Sequence, residues 1–220
     1  VTFLDIFGDP ITNPKNWSVI TLADGLTSIR SGWSAKGSSY PASKNELGVL
    51  KISAVTSGDY IPSENKSVAK LDLENKKLII PKKGDLLFSR ANTRDLVAAS
   101  CIVTNEKNNV FLPDKLWLIE VNEEIFEPTY LKFVFGHSQY RKMLCSKATG
   151  TSSSMLNISK TKLLESRLPV PPLEYQIKFS KIWWTAQKLL DQSKNALEES
   201  SNLNHSLSQQ AFHHGLQVSK

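Results

Sequence analysis

Cysteine is nearly absent from this chain, whose 220 residues include only Cys101 and Cys145. The two lie far apart and without the spacing of a metal site, so reduced thiols in a cytoplasmic protein are predicted in preference to a disulfide. No apolar run reaches the eighteen or so residues that a membrane span needs. The first eight residues contain an acidic residue and no basic segment, which argues against a signal peptide. We therefore expect no membrane partner.

Motifs that bind nucleotides or hold catalytic metals are also missing. The sequence has no Gly-x-Gly-x-x-Gly loop for a nucleotide or S-adenosylmethionine. Residues 64–66 and 74–76 read Glu-Asn-Lys, a form that metal-dependent nucleases use, but both lie in a polar, lysine-rich stretch typical of a solvated loop. The histidines near the C-terminal end have no cysteine or acidic cluster beside them. We therefore predict no catalytic residue, no metal and no cofactor in this chain.

The positive charge is concentrated in one segment. The chain has a formal net charge of +6, and residues 128–170 contain seven Lys and Arg against Glu165 alone. A concentrated basic patch favours a polyanion partner such as double-stranded DNA. A solvated helix face would give the same pattern, and the charges by themselves leave both interpretations open.

Alternating apolar residues predict strands in the first part of the chain and helical spacing predicts helices in the last part, which together indicate an α+β fold. Strands are predicted at 17–22, 49–55, 77–80 and 85–90, with a hairpin formed by 96–103 and 110–121. Residues 27–47 are expected to form a long loop, and a helix is expected from Pro128 to about Lys147.

A proline-rich segment and a long helix close the chain. Pro169, Pro171 and Pro172 predict an extended segment, and Pro172 suits the first position of a helix. Neither glycine nor proline then occurs before Gly215. Apolar and small residues recur at alternating spacings of three and four, which predicts a coiled-coil seam that pairs with a second helix. The seam positions expected in the pairing surface are Ile182, Leu189, Leu203 and Leu207.

Several motifs together resemble one family. They are the opening Phe7–Trp17, the run Gly150–Ser159, the Leu168–Gln176 segment and the closing Ser206–Leu216. These resemble the DNA-specificity subunits of type I restriction-modification enzymes, whereas residues 27–121 match only loosely. The resemblance implies a mixed-sheet target recognition domain over 1–170 and a spacer helix over 171–220 that pairs as an antiparallel coiled coil.

The same resemblance implies a function without catalysis. The chain would select one half of a bipartite DNA target and dock methyltransferase and restriction subunits, with S-adenosylmethionine bound by the methyltransferase partner. Because a complete subunit has two such units, this chain is expected to be a half-subunit that pairs with a second copy of itself, or an excised half. A dimeric DNA-binding transcription regulator and an undetected DNA enzyme are the alternatives.

Candidate DNA contacts follow from residue chemistry. Arg and Asn make bidentate contacts with base edges, aromatic residues are costly to expose without use, and Lys and hydroxyl groups suit phosphates. Arg94 pairing with Asp95, and Asn92-Thr93 making only a turn, are the structural alternatives. The base-reading candidates are Arg30, Trp33, Lys36, Tyr40, Arg90, Asn92, Thr93 and Arg94. The phosphate candidates are Lys142, Lys147, Thr151 and Ser153.

Overall fold

The computed structural model describes residues 2–149 and 155–217, and the chain divides into two compact units, 1–180 and 181–220. Within the described residues, the first unit contains all the strands, six short α-helices and a 3-10 helix at Lys70–Leu73, and the helix α7 (Leu173–Gln217) begins in it. The helices are α1 (Phe3–Phe7), α2 (Leu22–Gly25), α3 (Ser53–Thr56), α4 (Pro128–Gly136), α5 (Ser138–Ser146) and α6 (Lys160–Leu164). The strands are β1 (Ser18–Thr21), β2 (Leu26–Ser31), β3 (Leu47–Leu50), β4 (Asn65–Val68), β5 (Leu86–Ser89), β6 (Ala91–Asn92), β7 (Ser100–Ile102), β8 (Val110–Phe111), β9 (Leu116–Val121), β10 (Leu156–Asn157) and β11 (Arg167–Val170). The predicted α+β class and the long C-terminal helix are confirmed.

The main sheet is antiparallel and has the strand order β2-β9-β5-β7. Its central strands β5 and β9 are almost entirely buried, because apolar side chains on both of their faces are covered. A smaller sheet has the order β4-β3-β8, in which β3 pairs antiparallel with β4 and parallel with β8. One buried core connects the two sheets, from Leu50 and Val110 to Leu87 and Leu118.

Four local predictions are wrong. The predicted strand 49–55 ends at Leu50, and Ser53–Thr56 form α3 instead. The stretch 96–103 and the stretch 110–121 do not pair as a hairpin: β7 and β9 both pair with β5, and β8 pairs with β3. Residues 27–31, expected within a loop, belong to the edge strand β2 because β9 offers them a partner. Residues 77–80 form no strand in the described structure, although the Ile79 carbonyl accepts a hydrogen bond from the Leu112 N–H.

The predicted helix from Pro128 to Lys147 is divided into α4 and α5. His137 is extended (φ −65°, ψ 127°) and separates the two. Gly136, which precedes it, lowers helix propensity at this point. Arg141, Lys142 and the end of the basic segment therefore belong to a helix separate from α4.

The proline-rich segment is extended, as predicted. Arg167–Val170 form β11, which pairs with β1 and places Pro169 in a two-stranded ribbon that has no central strand to disturb. Helix α7 begins directly afterwards, and buried Gln176 fixes its first turn: its side-chain amide donates to the Ile125 and Pro171 carbonyls (3.0 and 2.8 Å). The Gln176 Oε1 also accepts from the Glu127 N–H at 3.0 Å.

Residues 181–217 of the second unit are helical. The seam positions Ile182, Leu189, Leu203 and Leu207 are 53, 58, 60 and 52% exposed. The antiparallel pairing predicted for them remains a prediction. In the part of the chain that the structure describes, no helix has the length and apolarity of a membrane span.

Candidate nucleic-acid interface

Several predicted DNA contacts lie at one end of the main sheet. In β2, Arg30 stands opposite Leu118 of β9, and the Arg90 N–H, just after β5, donates to the Lys115 carbonyl just before β9 (3.1 Å). The end of β2, the end of β5 and the start of β9 therefore meet at the same edge. The topology thus brings together two stretches, around Arg30 and around Arg90, that are distant in sequence.

Asp114 connects these two stretches. Its backbone carbonyl accepts from Arg90 Nε at 2.9 Å, and its carboxylate lies 3.6 Å from Arg90 Nη2. The same carboxylate accepts a hydrogen bond from the Ser34 hydroxyl. The Arg90 and Asp114 side chains are 29 and 39% exposed, so water screens their ion pair and its contribution to stability is small. Its main consequence is geometric, since it fixes the direction of the Arg90 guanidinium.

Arg30 is held in a similar way. Its Nη2 lies 2.7 Å from the carboxylate of Glu120, which also accepts from the Ser28 hydroxyl. Lys160 Nζ donates to the Ile29 carbonyl at 2.7 Å and so brings a further positive charge to this strand. Arg30 is nevertheless about half exposed, and part of its guanidinium faces solvent.

The stretch from Asn92 to Val97 makes a compact turn. Asn92 belongs to β6, which pairs with β10, and its side-chain oxygen accepts from the Thr93 N–H at 2.8 Å. The Thr93 carbonyl accepts from the Leu96 and Val97 N–H groups (3.1 and 2.9 Å). Asn92 and Thr93 therefore contribute to the turn, as the structural alternative expected, while Arg94 is exposed at its surface.

Arg94 and Lys142 line a common groove of about 560 Å³. The two residues come from the turn after β6 and from helix α5, and Arg141 lines the groove with them. Cys145 also lines it; burial raises the pKa of this thiol while Arg141 and Arg94 oppose the shift, so the thiol is neutral near pH 7. The groove thus presents three positive side chains against one carboxylate, that of Asp95.

Arg141 also holds the turn that carries Arg94. Its Nε donates to the Val97 carbonyl at 3.1 Å, and its Nη2 donates to the Asp95 carbonyl at 2.8 Å. Cys145 Sγ lies 3.5 Å from the same Val97 oxygen. A planar guanidinium can bond two backbone carbonyls at once, which the point charge of a lysine cannot do equally well.

The other phosphate candidates differ from Lys142. The Lys147 ammonium donates to the Ser166 hydroxyl at 2.9 Å, and the Lys147 carbonyl accepts from Lys162 Nζ at 2.8 Å, so Lys147 joins the end of α5 to α6. Thr151 and Ser153 lie outside the described residues.

The remaining candidates lie on the smaller sheet. Trp33 packs on the buried cluster Val49, Val68 and Phe111, and the Lys76 ammonium lies 5.1 Å from the centroid of its ring. Lys36 and Tyr40 are exposed and line a separate cavity of about 410 Å³ beside β4. The topology does not bring these three side chains into the groove that contains Arg94.

The described residues contain no group of three or more His, Cys, Asp or Glu side chains that could hold a metal ion. Glu64, the acid of the first nuclease-like triplet, accepts from the Ser53 hydroxyl at 2.6 Å and lies 3.6 Å from Lys51 Nζ. The adjacent Asn65 is buried and bonds to the backbone at Ala42 and Pro62. These contacts are those of structural residues.

Three contributing residues were missed by sequence reasoning. Arg141 directly precedes Lys142, and the preference of planar guanidinium groups for carbonyl oxygens could have singled it out. Asp114 and Ser34 were not among the predicted site residues. No local signal identifies the last two, because Asp114 bonds to Ser34 and to Arg90, which lie 80 and 24 residues away in the sequence.

Comparison with known proteins gives a consistent result. Residues 14–203 match the family model described as "Type I restriction modification DNA specificity domain". The type I restriction enzyme EcoEI specificity subunit of Escherichia coli is 27% identical over 194 residues, which are 86% of this chain and 32% of that protein. A Methanocaldococcus jannaschii protein named as a type I restriction enzyme MjaX specificity subunit is 29% identical over 177 residues, covering 77% of this chain and 39% of the relative.

One solved structure has a similar fold. Its description concerns complex assembly and conformational transition of the type I R-M system. It superimposes with a TM-score of 0.50 and is 19% identical in sequence, and the match covers 85% of this chain and 42% of that one. The chain spans about a third of the length of the curated relatives that it matches.

Proposed function

We propose that this chain, which belongs to the family of type I restriction-modification DNA specificity domains, recognises a defined sequence in double-stranded DNA. The observation that carries the proposal is the family match, which extends over most of the first unit and into the second. As the resemblance to that family implies, we expect it to select one half of a bipartite target. The family match does not favour the alternative of a transcription regulator.

The sheet edge and the groove beside it support this proposal. Arg30 and Arg90 are oriented there by carboxylates, and Arg94 and Lys142 line one groove. Guanidinium groups held in a fixed direction suit bidentate contacts with guanine, whereas an exposed lysine suits a phosphate. In this arrangement the arginines would read bases, and the lysine would position the protein on the duplex through the DNA backbone. Lys36 and Tyr40 would then contact the DNA backbone or a neighbouring base step from the smaller sheet.

The chain would act without catalysing a reaction itself. In this proposal it brings a methyltransferase subunit and a restriction subunit to the target, and S-adenosylmethionine is bound by the methyltransferase partner. The contacts made by Glu64 and Asn65 support a structural role for the nuclease-like triplet.

A second helix would complete the assembly. The exposed leucines at 189, 203 and 207 in α7 present apolar area that a partner helix can cover. The partner would be a second copy of this chain or the second half of a longer subunit. An antiparallel pair would place two recognition units at opposite ends, so that helix length sets the distance between half-sites.

The test is to express the chain with its methyltransferase partner and map methylated adenines across the host genome. We expect methylation at one recurring sequence, palindromic if two identical copies pair. The variant Arg94→Ala should change or abolish the recurring sequence, whereas the exposed helix variant Lys188→Ala serves as a charge-matched control and should leave it unchanged. Methylation that does not depend on this chain would refute the proposal.

A further inference from the structure

Two stretches at the edge of the main sheet are attached to one short segment, 112–115, which lies between β8 and β9. The Arg90 N–H donates to a backbone carbonyl of this segment at 3.1 Å, and the Trp33 N–H donates to another at 3.2 Å. Gly32 allows the second approach, because a Cβ atom built there would lie 1.7 Å from the Leu112 oxygen. The early stretch and the stretch after β5 are therefore both held against the same four residues.

Asp114 of this segment bonds to both stretches through its side chain. Its Oδ1 accepts a hydrogen bond from the Ser34 hydroxyl, and its Oδ2 lies 3.6 Å from Arg90 Nη2. Its backbone carbonyl accepts from Arg90 Nε at 2.9 Å. Because the serine bond opposes rotation of the carboxylate, it keeps Oδ2 beside the guanidinium. The direction of Arg90 thus depends on Ser34 as well as on Asp114.

The contacts with Asp114 use only one edge of the Arg90 guanidinium. They involve Nε and Nη2, whereas Nη1 takes part in neither. A guanidinium has five N–H donors in a fixed fork, so Nη1 and the second hydrogen of Nη2 can form a bidentate pair with the O6 and N7 atoms of guanine. The Arg90 side chain is 29% exposed, and its backbone carbonyl is fixed by the Ile158 N–H, which donates to it at 2.8 Å.

The negative charge of Asp114 favours a base contact over a phosphate contact for Arg90. DNA phosphates repel a carboxylate, so an arginine that only neutralised phosphates would bind them less well with Asp114 beside it. The ion pair also adds little stability, because its two side chains are 29 and 39% exposed. Its remaining effect is to orient the guanidinium, and a fixed direction matters most for bidentate contact with a base edge.

We propose that Arg90 reads one guanine of the DNA target and that Ser34 and Asp114 are its positioning residues. The early stretch 32–34 and the stretch after β5 then recognise one base together instead of two bases separately. This assignment rests on the proposed recognition of DNA, and it adds which base is read and through which residues. Ser34 and Asp114 act through Arg90 and need no contact with DNA themselves.

A binding selection from a duplex library that is randomised over one half-site tests the assignment. The full chain is used in complex with its methyltransferase partner, and the bound duplexes are sequenced to give the base preference at each position. In the parent complex we expect one position at which guanine is preferred roughly tenfold or more, the discrimination of one bidentate arginine. Arg90→Ala should remove the preference at that position and leave the other positions unchanged.

The positioning residues should change the preference at the same position. Asp114→Ala should lower it roughly fivefold, because the guanidinium is no longer held, while the affinity for duplexes without that guanine stays the same or rises. Ser34→Ala should lower it by a smaller factor and add no further loss to Asp114→Ala, because both changes act through one carboxylate. The control Glu123→Ala removes an exposed carboxylate beyond the end of β9 and should leave every preference unchanged.

A merely structural role for Asp114 leads to a different result. Loss of a structural contact would lower the affinity for all duplexes by one factor and leave the preferences intact, which would overturn the positioning role. The assignment would also be wrong if Arg90→Ala altered no position, or altered one where a base other than guanine is preferred. If Asp114→Ala folds poorly, Ser34→Ala and Asp114→Asn, which keeps one oxygen acceptor, provide the same comparison.

Failure of DNA recognition as such gives a separate outcome. A parent complex that enriches no sequence would refute the proposed function and this assignment with it. A parent complex that enriches one sequence, with the same preferences in Asp114→Ala, would refute only the positioning role.

Discussion

The change Arg141→Lys tests whether the turn from Asn92 to Val97 depends on helix α5. The substitution keeps the positive charge but replaces a planar group, which bonds the Val97 and Asp95 carbonyls at 3.1 and 2.8 Å, by a single ammonium. At least one of the two bonds is lost. The Val97 bond is partly buried and the Asp95 bond is exposed. We therefore expect the closed conformation of the turn to be destabilised by about 1–2 kcal/mol relative to the open one.

The loss should be visible in amide hydrogen exchange. The Leu96 and Val97 amides bond to the Thr93 carbonyl inside the turn, so they exchange when the turn opens. A cost of about 1.4 kcal/mol to the closed turn corresponds to roughly tenfold faster exchange at these two amides, with little change in the core strands. Affinity for the cognate half-site should fall by a similar factor, because Arg94 must be ordered again on binding.

Lys142→Met gives the matched comparison on the same helix. It removes one positive charge from the groove and leaves the two carbonyl bonds of Arg141 in place. Exchange at Leu96 and Val97 should then stay at the parent rate, while the salt dependence of DNA binding falls by about one unit. If Arg141→Lys leaves exchange at both amides unchanged, the two hydrogen bonds do not hold the turn and the reasoning fails.

The remaining predictions concern reading, stability, pairing and affinity. Arg94→Ala should cost about 1–3 kcal/mol on the cognate half-site and much less on sequences with one changed base; a uniform loss in competition titrations would show that the residue only positions the DNA. Lys147→Ala should destabilise the first unit by about 1–2 kcal/mol in urea unfolding, because it leaves the Ser166 hydroxyl without its ammonium donor. An unchanged unfolding midpoint would show that this bond adds no stability, and Lys147 would again be a candidate for phosphate contact. Leu203→Glu should leave the first unit folded and yield monomers by light scattering, since it places a charge in the apolar seam; a monomeric parent chain would contradict the pairing. The isolated chain should bind DNA weakly and with steep salt dependence, because neutralised phosphates release counterions; tight sequence-specific binding at physiological salt would show that no partner subunit is needed.

The sequence by itself determined the features that depend on neighbouring residues. The α+β class, the extended proline-rich segment and the start of α7 follow from local backbone restrictions: proline limits φ and lacks an N–H donor wherever it occurs. The coiled-coil pairing that the helical periodicity of α7 indicates stays a prediction. The motifs that resemble the specificity family were likewise visible in the sequence, and the family match over residues 14–203 agrees with them.

Tertiary structure alone decided which residues meet. Strand β5 pairs with both β7 and β9, so the predicted hairpin is wrong although its turn residues were correctly placed in a polar connection. Arg90 finds its partner Asp114 24 residues away, and Arg141 bonds to Val97 across 44 residues. Two lysines of the same basic segment have different environments for the same reason. Lys147 bonds to Ser166, whereas Lys142 lines a groove. Periodicity and propensity act over a few residues, but the partner of a strand edge or of a charged side chain is selected by the packing of the whole sheet, which no local pattern encodes.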